Sequence, residues 1–157
     1  MAKKTADTWF SEYGESHQNA TNKLLHWVCV PAIVASLVAL VWSIPQPAAM
    51  QSMAYLNWAT LLIAASMVFY FRLSIPLALG MLCCLVPVLL AISRLDQLGE
   101  PPLWQIALAV FVLAWIGQFV GHKIEGKKPS FFQDLQFLLI GPIWLLAFIY
   151  RRVGIPY

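Results

Sequence analysis

Three histidines, His17, His26 and His122, supply all the imidazole in this 157-residue chain, and each stands at or near the edge of an apolar run. Neutral imidazole is a ligand for zinc, iron, copper and nickel, so three at one level raise the question of a metal centre. His17 and His26 are nine residues apart, which on one straight helix means a rise of about 13.5 Å and side chains on opposite faces. They cannot share an ion in that form. The intervening "HQNATN" is rich in residues that end and restart helices, with Asn19 or Thr21 placed to cap the helix that follows. Upstream, Trp9, Phe10, Tyr13 and His17 fall on one face of a short amphipathic helix beginning near Asp7, of the kind that lies in a membrane interface. Folding that helix back brings His17 to His26. His122 joins them if the first and fourth apolar runs are neighbours.

A second regularity surrounds the histidines. Each has a hydrogen-bonding side chain four residues before it: Tyr13, Asn22 and Gln118 respectively. On a helix these positions share a face, and metal-bound imidazoles commonly have their second nitrogen held by an outer partner. Ordinary polar residues clustering at a membrane interface produce the same pattern. Glu125, three residues after His122, is a fourth ligand, a base or a solvated loop acid.

The elements that must position these groups are membrane helices. Hydrophobic residues make up 61% of the chain and charged residues only 11%, against roughly 45–50% and 25% in soluble proteins. Four apolar runs, Leu24–Ile44, Met53–Phe71, Leu73–Ile92 and Leu103–Gly121, each approach the ~20 residues a helix needs to cross a ~30 Å hydrocarbon core. The first starts too late and runs too long for a cleaved signal peptide and reads as a retained anchor. A fifth run, Phe137–Tyr150, is shorter and is interrupted by Gly141-Pro142. It suits a re-entrant or interfacial segment better than a full crossing. Charge agrees: with four crossings, Lys3, Lys4, Lys23, Arg72, Lys123, Lys127, Lys128, Arg151 and Arg152 share one side and Arg94 stands alone on the other. The positive-inside rule makes the crowded side cytoplasmic, with both termini and all three histidines there.

The expected architecture is therefore all-α: a polytopic membrane bundle of four spanning helices, an N-terminal interfacial helix and a Pro-broken C-terminal re-entrant or fifth helix, in one integral membrane domain over residues 1–157. The net charge of +3 fits this orientation and contact with anionic membrane lipids, and no nucleic-acid-binding pattern is present. Cys29, Cys83 and Cys84 fall inside the runs without disulfide or zinc spacing and read as apolar packing residues.

The two blocks "YGESHQNATNKLLHWVCVP" and "WIGQFVGHKIEGKKPSFFQDLQFLLIGP" together resemble the Mpo-type 2-hydroxy-fatty-acid dioxygenases, small polytopic membrane proteins. The likeness spans nearly the whole chain. Its marks are His-x4-Asn-x3-His leading into a span that contains Pro31, then Gln-Phe-x-Gly-His with a nearby acid and Lys-Pro. The resemblance implies that His17, His26 and His122 are the catalytic metal ligands, that Asn22 is a functional residue, and that the metal is Fe(2+), with zinc as a substitute in a purified sample. It implies further that the protein takes a 2-hydroxy fatty acid and O2 and shortens the acid by one carbon. Three imidazoles on one face of an octahedral ion leave open positions for a chelating 2-hydroxy carboxylate and O2. Lys123, Lys127 or Lys128 would draw the acid's anionic head to the interface. The membrane would be the cytoplasmic membrane of a bacterium or the endoplasmic reticulum of a eukaryote.

Three rival readings stand beside this one. A diiron membrane desaturase or hydroxylase needs more histidines than the chain has. A bis-histidine haem electron carrier would use His26 and His122 as axial ligands. A metal-free lipid-binding membrane protein is the third. Oligomeric state and acyl chain length have no signature in the sequence.

Overall fold

The computed structural model describes residues 4–53, 55–126 and 131–157, with side chains from 137 onward in the last stretch. Every regular element among the described residues is a helix. A short helix α1 (Ala6–Gly14) starts at Thr5, whose hydroxyl accepts from the Thr8 amide. The chain then turns through His17 into α2 (Ala20–Trp42), capped by Asn19, whose side-chain oxygen accepts from the amides of Thr21 and Asn22 at 2.9 and 3.3 Å. Of the two expected caps, Asn19 is the one used. A single turn, α3 (Ala48–Gln51), leads to α4 (Trp58–Leu73), which Asn57 and Thr60 open with a reciprocal capping box.

Only Ser74 separates α4 from α5 (Ile75–Leu98), and it caps α5 by accepting from the Leu77 amide. The stretch "RLSIP" (Arg72–Pro76) is thus a tight turn between two helices. Helix α6 (Leu103–Glu125) ends at Gly126, whose φ of 74° takes the left-handed conformation that glycine adopts without strain. Helix α7 (Phe131–Val153) completes the chain.

Three helices, α2, α5 and α6, are long and apolar enough to cross a membrane, and α4 is a shorter apolar helix of 16 residues. The run Met53–Phe71 becomes helical only from Trp58, because Asn57 takes an extended backbone to cap it. The closest pairing is α2 against α6. Gly117 and Gly121 make it possible: a Cβ on Gly117 would stand 2.6 Å from Cys29 Sγ, and one on Gly121 would stand 2.4 Å from Asn22 Oδ1. Two glycines four apart on one face let helix backbones approach, the small-xxx-small device of membrane helices. Cys29 is buried against Ile33 and Ala114 beside this seam. Cys83 and Cys84 face outward from α5, so of the three cysteines only Cys29 packs inside.

Helix α7 does not break at Gly141-Pro142: the helix is continuous across them. Proline removes one backbone donor, and neighbouring helices in a bundle hold the axis across such a gap. Here Gly141 lies against Tyr13 of α1 and Val30 of α2. Both halves of α7 meet the same end of the bundle. Tyr70, in the last turn of α4, donates to the Leu139 carbonyl at 2.9 Å, and Tyr150 donates to the carbonyl of Pro76, at the start of α5, at 3.1 Å. Helix α1 runs antiparallel alongside, with Asp7 paired to Arg151 and Tyr13 packed on Phe137 and Trp144. Ile140, Ile143 and Ala147 form the buried stripe of α7, and Phe10 and Tyr13 that of α1. The amphipathic α1 expected from the sequence is thus present, laid over the bundle with its aromatic face inward.

Candidate metal centre

The geometry of the histidines follows from these elements. His17 sits in the turn between α1 and α2, His26 two turns into α2, and His122 one turn before the end of α6. His17 and His26 are only 2% and 1% exposed and His122 is half-buried. Their ring centroids are 4.2, 5.5 and 5.4 Å apart in the pairs 17–26, 17–122 and 26–122, and their planes cross at 81°, 68° and 86°. One ring nitrogen from each lies within 4.8 Å of the others.

Hydrogen bonding fixes which nitrogen faces the centre. His17 Nδ1 bonds the Tyr13 carbonyl at 2.5 Å and His26 Nδ1 bonds the Asn22 carbonyl at 2.9 Å. A carbonyl only accepts, so each Nδ1 carries the proton and each Nε2 presents a lone pair. Those two Nε2 atoms face one another at 2.8 Å. Burial is the main cause that brings the His17 imidazole down to about 4, against the opposing effect of the Tyr13 carbonyl, so it is neutral at pH 7. Two lone pairs at this distance repel unless a cation lies between them. For ligand bonds of about 2.1 Å meeting at a right angle, the nitrogens would stand ~3.0 Å apart, which matches. The donor set therefore fits a metal held by three imidazoles on one face. It leaves no room for a porphyrin between His26 and His122, because His17 Nε2 occupies that side of His26.

The relation to the residue four places upstream is real, but for His17 and His26 the main chain carries it. The side chains do other work. Tyr13 stacks on His17, centroids 4.1 Å apart and planes 12° from parallel. Asn22, fully buried, donates to Glu125 Oε2 at 3.0 Å and to the Ser16 carbonyl at 3.3 Å, while its Oδ1 rests against Gly121 without a hydrogen bond. Gln118 is 5% exposed and its Nε2 has no hydrogen-bond partner among the described residues.

Glu125 is neither in the histidine cluster nor solvated freely. Its carboxylate accepts from the backbone amides of Gln18 and Asn19 at 2.7 and 2.9 Å, besides Asn22. It closes the C-terminal end of α6 onto the N-terminus of α2, where a negative charge also meets the positive end of the helix dipole. Lys123 is exposed, and Lys127 and Lys128 lie outside the described residues. Sequence reasoning missed three contributors: the Gly117/Gly121 seam, legible as Gly-x-x-x-Gly; the clamp by Glu125; and Trp144 of α7, which stands 5.8 Å from His17 and 5.3 Å from Tyr13. Nothing local marks Trp144, because its place depends on how α7 crosses the bundle end.

Fold and site together define an all-helical protein with three helices long and apolar enough to cross a membrane and a three-histidine cluster, two of its rings buried, at one end of its bundle. The chain belongs to the family described as "2-hydroxy-palmitic acid dioxygenase Mpo1-like", whose model matches residues 3–153. It is similar to the 2-hydroxy-palmitic acid dioxygenase MPO1 of Saccharomyces cerevisiae, with 28% identity over 140 residues that cover 88% of this chain and 75% of the yeast protein. No solved structure matches the chain.

Proposed function

We propose that the chain is an iron(II)-dependent dioxygenase that converts a 2-hydroxy fatty acid to the fatty acid one carbon shorter. The observation that carries this reading is the pair of imidazole lone pairs facing each other at 2.8 Å beside a third histidine. The family and the yeast relative supply the substrate class. His17, His26 and His122 would hold the iron, which when bound supplies the redox chemistry with O2 and the positions for a chelating 2-hydroxy carboxylate. The Tyr13 and Asn22 carbonyls fix the ligand tautomers. Glu125 and Asn22 hold the α1–α2 turn so that His17 stays over the bundle. Trp144 and Tyr13 cover His17 and exclude water from its ring.

In the membrane, α2, α4, α5 and α6 would cross and α1 and α7 would lie along the cytoplasmic interface. Lys4, Lys23, Arg72, Lys123, Arg151 and Arg152 then gather at the histidine end and Arg94 stands at the other. A fatty acid presents its head at this level, with its tail among the apolar helices. Lys123 is the described lysine beside His122 that would attract the anionic head.

The test is oxygen uptake by purified protein loaded anaerobically with iron(II) and given a long-chain 2-hydroxy acid. The product one carbon shorter is expected, with no reaction of the plain acid and none with zinc, which has no redox chemistry. Equal consumption of the plain acid, or equal activity with zinc, would refute the mechanism.

A further inference from the structure

Gln118 lies one helical turn from His122 on the same face of α6, deeper in the bundle. It is buried, and its Nε2, an amide nitrogen with two protons to donate, has no hydrogen-bond partner among the described residues. An unpaired donor in an apolar interior destabilises a protein, whereas leucine or methionine would fill similar volume without that penalty. His17 and His26 are already oriented by main-chain carbonyls, and the Gln118 Nε2 makes no hydrogen bond to His122. Among the described residues no acceptor meets the Gln118 amide nitrogen.

A 2-hydroxy acid has three head-group oxygens. When the hydroxyl and one carboxylate oxygen engage the ion, the second carboxylate oxygen needs a donor. Lys123 is exposed to the outside of the bundle, and a neutral amide serves inside without the desolvation cost of a cation. We propose that Gln118 is a substrate-binding residue whose Nε2 donates to the carboxylate oxygen not engaged by the metal. The proposal rests on the dioxygenase reading and extends it: Gln118 makes the site select a 2-hydroxy acid over a 1,2-diol of the same length.

The experiment uses the full chain in detergent, loaded with zinc so that nothing turns over. Wild type, Gln118→Leu and Gln118→Met are compared for melting temperature, bound zinc, and affinity for 2-hydroxy-palmitic acid and for the corresponding 1,2-diol. The variants should melt at the same temperature or higher and keep their zinc. They should bind the acid about ten- to hundred-fold more weakly, the worth of one hydrogen bond to a charged acceptor, and bind the diol as wild type does. Loss of zinc would show that Gln118 orients His122 and overturn the proposal. A lower melting temperature with unchanged acid affinity would make it a packing or water-binding residue and overturn it equally. If wild type binds and the variants bind as tightly, the proposal alone fails. If the wild-type zinc protein has no affinity for the acid, the dioxygenase reading fails and takes the proposal with it.

Discussion

Replacing Glu125 with alanine should weaken the proposed metal centre while leaving the helical bundle intact. The carboxylate accepts three hydrogen bonds, at 2.7, 2.9 and 3.0 Å, from Gln18, Asn19 and Asn22. Gln18 and Asn19 are exposed, so water replaces the lost acceptor and each bond costs its net value of about 0.5–1.5 kcal/mol. Asn22 is fully buried, and an amide left with only its longer bond to Ser16 adds at least about 1 kcal/mol. The loss is about 2–4 kcal/mol, concentrated at the turn that carries His17. It falls at the first turn of α2 and the last turn of α6 and not along their apolar lengths, so helix content in detergent should be unchanged. Felt at His17, even 2 kcal/mol is about a thirty-fold weaker hold on the ion. Competition for zinc or iron(II) against a calibrated chelator reads this directly, with far-ultraviolet circular dichroism as the control. Glu125→Gln, which keeps one accepting oxygen, should fall between wild type and alanine. Wild-type metal affinity in Glu125→Ala, with helix content intact, would refute the clamp.

Gly121→Ala places a methyl 2.4 Å from Asn22 Oδ1; the overpacking should cost about 1–3 kcal/mol and lower both melting temperature and metal content. His17→Ala should abolish activity and lower bound metal measured by elemental analysis, while leaving the bundle folded; full occupancy would remove His17 from the ligand set. The His17 pKa of about 4 lies below the ~6.5 of an unfolded chain, so between these values the unfolded state binds more protons and stability rises with pH. The metal-free protein should therefore lose stability as pH falls from about 6.5 to 4, and the metal should be released over the same direction of change; thermal melts and dialysis at stepped pH check both. A cysteine at position 157 should react with an impermeant thiol reagent from the same side as one at 123 and not from the side of Arg94; the reverse would mean that α7 crosses.

The parts of this structure that were legible in the sequence are those fixed by local chemistry. Asn19 caps α2 because its side chain reaches the free amides of the first turn, and the aromatic face of α1 shows at helical spacing. The meeting of His17, His26 and His122 was readable because all three lie at one level and "HQNATN" must turn. What could not be read was set by neighbours distant in sequence. Pro142 signals a break, yet packing against α1 and α2 carries α7 through it. Glu125 is three residues from His122, but its partners are more than a hundred residues away. The assignment of Tyr13 and Asn22 as side-chain partners found the right positions, while the bonds that form use their carbonyls, which any residue possesses.

The cluster also records the order in which the chain is made. On the proposed topology His17 and His26 enter the bilayer with α2, whereas His122 and Glu125 arrive only with α6, about a hundred residues later. Before that moment the turn that carries His17 lacks its Glu125 clamp, and the proposed ion would have only two of its three imidazoles. Stable uptake of that ion would therefore be reserved for a chain whose α6 has entered in the correct direction beside α2. A molecule with α6 inverted or left outside would carry the same residues and remain empty, so retention of the proposed ion would mark completed insertion.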